Sequence, residues 1–149
     1  VALFENDDVL ALDKPPGVSM ATSSKEGKSA EEVLRRLFTA CGIPCPDPLP
    51  LLVHRLDTGT SGVVLVAKTS EAHRALSLAF QERRAKKTYR ALVWGHPVPA
   101  GGTIDLALQR DPTDGRKMRV TATGKPAATR YATLRRFSSL ADLELQPET

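Results

Sequence analysis

Short apolar runs, separated by proline- and glycine-rich punctuation, set the rhythm of the chain. Residues 8–13 (DVLALD) form a short apolar strand that Pro15, Pro16 and Gly17 break at once. Two prolines remove two backbone donors and a glycine permits a tight turn, so residues 14–20 make a loop of fixed shape. Helical spacing follows. Gly27 to Ser29 leads into a helix capped by the S-x-x-E box of Ser29 and Glu32, with Val33, Leu34, Leu37, Phe38 and Cys41 on one face until Gly42 stops it. Four prolines make residues 42–50 a connector. Residues 51–53 and 63–68 are apolar strands flanking the polar cluster HRLDTGTSG at 54–62. Ser70 is expected to cap a second helix running to about Arg84, with Ala72, Ala75, Leu76, Ala79 and Phe80 on one face. Residues 87–94 alternate as a strand with Tyr89, Ala91 and Val93 on one side. Gly101 and Gly102 open a short strand, and residues 116–121 form another. Residues 128–137 alternate again, with Thr129, Tyr131 and Thr133 sharing a face, and 142–146 is strand-like. Strands outnumber helices, which predicts an α+β fold with a mixed, largely antiparallel sheet and flanking helices.

A length of 149 residues suits one domain, 1–149, and not two. The longest apolar stretch, residues 63–67, is of strand length and far from a membrane span, and no basic-then-apolar signal opens the chain. The first residue is Val1 and the last, Thr149, ends a strand-like stretch, so both ends are expected to be cut from something longer.

Charge is uneven. Residues 83–136 hold 13 Lys/Arg against 3 Asp/Glu, while the rest hold 8 against 14, which points to a polyanionic partner, nucleic acid before membrane. The alternative is a solvated charged face. Cys41 and Cys45 make a single C-x3-C with no second pair, so no zinc site is expected and reduced thiols in a cytoplasmic protein are the reading.

The cluster at 54–62 concentrates one His, one Arg, one Asp, three Thr or Ser and two Gly between apolar strands, where polar groups emerge from a sheet into a loop. Taken alone, it is either a chemical site or a turn stapled by an Arg55–Asp57 pair. HRLDTGTSGVVLVAK resembles the active-site motif of pseudouridine synthases of the RluA type, which modify ribosomal and transfer RNA. DVLALDKPPGVSM resembles that family's strand running into K-P-x-G, AKKTYRALVWG its K-x-Y-x-A-L-V-x-G strand, and GKPAATRYATLRRF its G-K-x-A-x-T-x-Y segment. The four stand in family order.

The resemblance implies an isomerase that detaches uracil from ribose, rotates it and rejoins it through carbon 5, with no metal or other cofactor. Asp57 matches the catalytic aspartate, acting either as nucleophile or as base at the ribose. Arg55 is similar to the arginine that holds the flipped nucleotide. Tyr89 matches the tyrosine that packs against the base, with a part in removing the carbon 5 proton as the further option. His54, Lys14, Lys87, Thr129 and Tyr131 belong to matched motifs in roles read as architectural. Extruding a uridine from folded RNA costs a few kcal/mol, and Arg83, Arg84, Lys86, Lys87 and Arg90 are the expected phosphate contacts that offset it. The family's later G-R-x-H-Q-I-R motif, whose basic residue pairs with the aspartate, and the small S4-type N-terminal domain that many relatives carry do not occur in these residues. RNA is the expected partner, with no membrane and no obligate protein partner. The rival class is a non-catalytic RNA-binding homologue or chaperone; a hydrolase lacks the second carboxylate or metal cluster its chemistry needs.

Overall fold

A computed structural model describes residues 1–22, 29–115 and 117–149. The chain divides into two compact units, Val1–Glu82 and Arg83–Thr149.

The first unit opens with β1 (Ala2–Glu5) and β2 (Val9–Lys14), joined by a turn in which Asn6 Oδ1 accepts the backbone N–H groups of Asp8 and Val9 at 3.0 and 2.7 Å. Helix α1 (Ala30–Cys41) follows, then β3 (Leu51–Leu52), β4 (Gly62–Ala67) and helix α2 (Ser70–Gln81). The strands lie in the order β1-β2-β4-β3, every pair antiparallel. β2 and β4 are the central pair, and Leu10, Leu12, Val64 and Val66 are buried there with Val33, Leu34, Leu37 and Phe38 of α1. Ser29 Oγ caps α1 by accepting the Glu32 N–H at 3.1 Å, and Gly42 ends it in the left-handed conformation at φ 69°. Half of the expected capping box forms. The Glu32 carboxylate pairs with Arg36 at 2.6 Å, one turn on.

The second unit holds β5 (Tyr89–Trp94), β6 (Gly101–Asp105), β7 (Leu108–Arg110), β8 (Met118–Val120), β9 (Ala128–Arg136) and β10 (Leu140–Pro147). Its main sheet runs β5-β10-β9-β6, all antiparallel, and β7 pairs with β8 apart from it. β10 carries the buried residues of this unit, Ala141, Asp142 and Leu143. Trp94, at the end of β5, is 84% exposed.

The α+β class holds, and among the described residues every strand pairing is antiparallel. Three local expectations are corrected. The second helix is capped by Thr69, whose Oγ1 accepts the Ala72 N–H at 3.2 Å, because Thr69 and not Ser70 has the extended backbone of a cap. It ends at Gln81 rather than near Arg84, since Arg83 turns left-handed at φ 59°. Ala75 is exposed, and His73 faces β3 instead, its Nε2 3.2 Å from the Leu52 carbonyl. Strands β1 and β7 were not expected. The lead-in at Gly27 and the strand start at Arg116 lie outside the described residues.

Candidate active site

β3 stops at Leu52, and the edge of β4 continues past it. His54 takes over as backbone partner: its Nε2 accepts the Leu65 N–H at 2.9 Å, and its ring stacks on Phe80 of α2 with centroids 4.5 Å apart. An accepting Nε2 is an unprotonated one, and burial pushes the imidazole below its ordinary value, against a backbone bond at Arg55 that raises it. His54 is therefore a structural pin at the mouth of the polar loop.

The next residues alternate. Arg55 and Asp57 are exposed on either side of buried Leu56, whose N–H meets Met20 Sδ at 3.4 Å. Asp57 opens a tight turn in which its carbonyl accepts the Thr60 N–H at 3.0 Å. The following carbonyl, of Thr58, accepts the Gly17 N–H at 2.7 Å and lies 3.4 Å from Lys14 Nζ. Lys14 is wholly buried and also donates to the carbonyls of Pro15 and Val18, each at 3.1 Å. Burial pushes its ammonium below the ordinary lysine value, while the charges of Cys41 and Asp57 push it back. The K-P-P-G loop and the aspartate turn are thus one assembly, clamped by a backbone amide and a buried cation. The Asp57 carboxylate is presented outward from a turn held at Leu56, Thr58 and Thr60.

No ion pair joins Arg55 to Asp57, and among the described residues neither makes one, so the stapled-turn alternative is not what the loop forms. Arg55 instead lines a hollow of about 190 Å³ with Met20, Thr22, Leu52, Val53 and His54.

In the second unit, Tyr89 begins β5 opposite Leu145 of β10 and is half-buried, its hydroxyl without a hydrogen-bond partner among the described residues. Arg83, Lys86 and Lys87 line a cleft of about 380 Å³ just upstream of it, together with Arg130 of β9. Arg90 lies on the exposed side of β5 and is bound by the carboxylate of Asp142. Nothing along the chain singles out Arg130, because only the pairing of β9 with β10 brings it to that cleft. Among the described residues no group of three or more His, Cys, Asp or Glu could hold a metal ion, and no helix is long and apolar enough to cross a membrane. Cys41 and Cys45 are free thiols; Cys41 Sγ donates to the Asp13 carbonyl at 3.3 Å, and burial pushes it up.

The family model described as RNA pseudouridylate synthase matches residues 8–149. The dual-specificity RNA pseudouridine synthase RluA of Escherichia coli is 40% identical over 132 residues, which is 88% of this chain and 57% of that protein. An RNA pseudouridine synthase of Mycobacterium bovis, described as uncharacterized, is 37% identical over 153 residues, 99% of this chain and 48% of the relative. The chain thus spans about half the length of these curated relatives. Among solved structures, human RNA pseudouridylate synthase domain containing 1 superposes with a TM-score of 0.78 at 26% identity, covering 99% of this chain and 59% of that one.

Proposed function

The chain belongs to the RNA pseudouridine synthase family, and from that premise we propose that it serves to isomerise uridine in structured RNA to pseudouridine, with Asp57 as the catalytic carboxylate. Ribosomal RNA is the first candidate substrate and transfer RNA the second, in the cytoplasm. The bond from ribose C1′ to uracil N1 breaks, the base rotates, and a bond from C1′ to C5 replaces it. The C5 proton leaves and N1 gains one, so substrate and product are isomers and neither oxidant nor co-reactant is consumed.

One observation carries the reading: an exposed carboxylate on a turn fixed from three directions. Such a turn can hold a carboxylate in place against a nucleoside without reorganising during the reaction. Asp57 serves as nucleophile at C1′ or as base at the ribose, and the geometry suits both. Arg55, two residues away and without a carboxylate partner among the described residues, holds the extruded nucleotide in this reading. Tyr89 supplies an aromatic face for the base, since such contacts are worth about 1–3 kcal/mol per base and tolerate any sequence.

The Asp57→Asn variant tests this. It keeps shape and removes charge and basicity. Chemical mapping of pseudouridine in ribosomal and transfer RNA incubated with the protein should lose the product by at least about a thousandfold in rate, with RNA affinity within a few-fold of wild type. Product formed at near wild-type rate would remove Asp57 from the chemistry. Wild-type protein that binds RNA and forms no pseudouridine would favour the binding-only rival.

A further inference from the structure

The cleft upstream of Tyr89 gathers four cationic side chains, Arg83, Lys86, Lys87 and Arg130, around about 380 Å³. Glu148 offsets one of them, pairing with Arg130 at 2.7 Å. Arg83, Lys86 and Lys87 have no ion pair or side-chain hydrogen bond among the described residues. Cations that only keep a surface solvated would spread over convex ground, where mutual repulsion is least. Gathering them in a concavity carries a repulsive cost that an anion removes.

A second observation is independent of charge. Arg83 sits at φ 59°, in the left-handed region where glycine is the easy occupant. That turn is the ordinary left-handed close of α2 just after its cap at Glu82, and it fixes where the Arg83 side chain leaves the backbone beside the cleft.

The sheet supplies the third. Tyr89 pairs with Leu145, and the next residue of β10, Gln146, pairs with Arg130 and also lines the cleft. The cleft therefore adjoins Tyr89 at one end of the β5-β10-β9 sheet. Arg90 is excluded, since it is occupied by Asp142 on the far side of Tyr89.

We propose that this cleft is the seat of a backbone phosphate of the substrate RNA, flanking the uridine whose base packs on Tyr89, with Arg83, Lys86, Lys87 and Arg130 as its ligands. The proposal rests on the RNA reading above and adds to it the place where the strand is gripped. Glu148 holds Arg130 in position until the phosphate arrives and then shares it.

The test compares Lys86→Gln/Lys87→Gln with Arg119→Gln/Lys125→Gln, which removes equal charge from exposed positions of the same unit outside the cleft. Binding of a fluorescently labelled RNA hairpin is measured across a chloride series. The cleft variant should flatten the slope of log K against log salt by about 0.7 per lost contact on single strands and about 0.9 on duplex, and the control should leave it unchanged. At matched ionic strength, inorganic phosphate should displace the hairpin from wild type more than chloride does, and the excess should vanish in the cleft variant. Arg83→Gly should weaken RNA binding several-fold while leaving the melting temperature equal or higher. Equal slopes in both double variants would reduce the cleft to a solvated face. A phosphate excess retained by the cleft variant would place the anion elsewhere. A lower melting temperature in Arg83→Gly would make Arg83 structural. Absence of pseudouridine in wild-type reactions strikes at the isomerase reading alone, because the salt slope reports binding without chemistry.

Discussion

Lys14 and His54 do opposite electrostatic work on either flank of the aspartate turn. A buried ammonium with three carbonyl acceptors loses both its charge and its bonds when replaced by methionine, and the Pro15 and Val18 carbonyls lose that donor while Thr58 keeps the Gly17 N–H. Lys14→Met should cost about 3 kcal/mol in chemical denaturation, and in the folded fraction kcat should fall more than KM rises, because the turn bearing Asp57 is loosened rather than the binding surface. A proportional rise in KM with kcat intact would make Lys14 a support of binding only. Its folded value lies below the ordinary 10.5, so the unfolded chain holds the proton more tightly, and its contribution to stability should grow as pH climbs from the lowered value toward 10.5. His54 is also lowered, from 6.5, so its contribution is complete above 6.5 and declines as acid drives toward protonation of the Nε2 that accepts the Leu65 N–H. His54→Phe keeps a ring on Phe80 and orphans that N–H. It should cost about 1 kcal/mol and flatten the fall in melting temperature below pH 6.5; an unaltered pH slope would assign the fall to other groups.

At the scale of the element, Gly124 shows how tightly the β7 region is drawn together. A Cβ there would lie 2.7–2.8 Å from the backbone N, C and O of Leu108, which bridges to Lys125. Gly124→Ala must push β7 away and should destabilise by about 1–3 kcal/mol, read as a lower melting temperature; an unchanged one would mean that β7 moves at no cost. Such close approach has no local signature, and this separates what the sequence discloses from what it hides. Helix α1 was readable because its cap, its apolar face and the left-handed Gly42 all lie within one segment. The end of α2 was not, because nothing in the chemistry of an arginine announces φ 59° at position 83. Strand β1 exists through its pairing with β2, and β7 through its pairing with β8, without alternation of their own. The same division runs through the site. Asp57, Arg55 and Tyr89 stand in recognisable motifs, whereas the clamp on Thr58 comes from Lys14 and Gly17, more than 40 residues earlier.

Across the whole molecule, charge and structure change at one place. The first unit holds 8 Lys/Arg and 11 Asp/Glu, and the second 13 and 6, so the step from acidic to basic falls at the boundary between Glu82 and Arg83. The basic excess noted along the chain is thus a property of one folded unit, the one carrying Tyr89 and the cleft. The optical groups are divided as cleanly. Both described helices lie in the first unit, which has no Trp or Tyr, while Trp94, Tyr89 and Tyr131 all lie in the second. The exposed indole of Trp94 should emit at long wavelength folded or unfolded, whereas near-ultraviolet circular dichroism from the half-buried Tyr89 and Tyr131 follows the second unit and helical circular dichroism follows the first. Melting curves recorded with the two signals on one sample compare the units directly: coincident midpoints signify one cooperative transition, and separated midpoints two. Two native signals give this protein a unit-by-unit stability readout with no label attached.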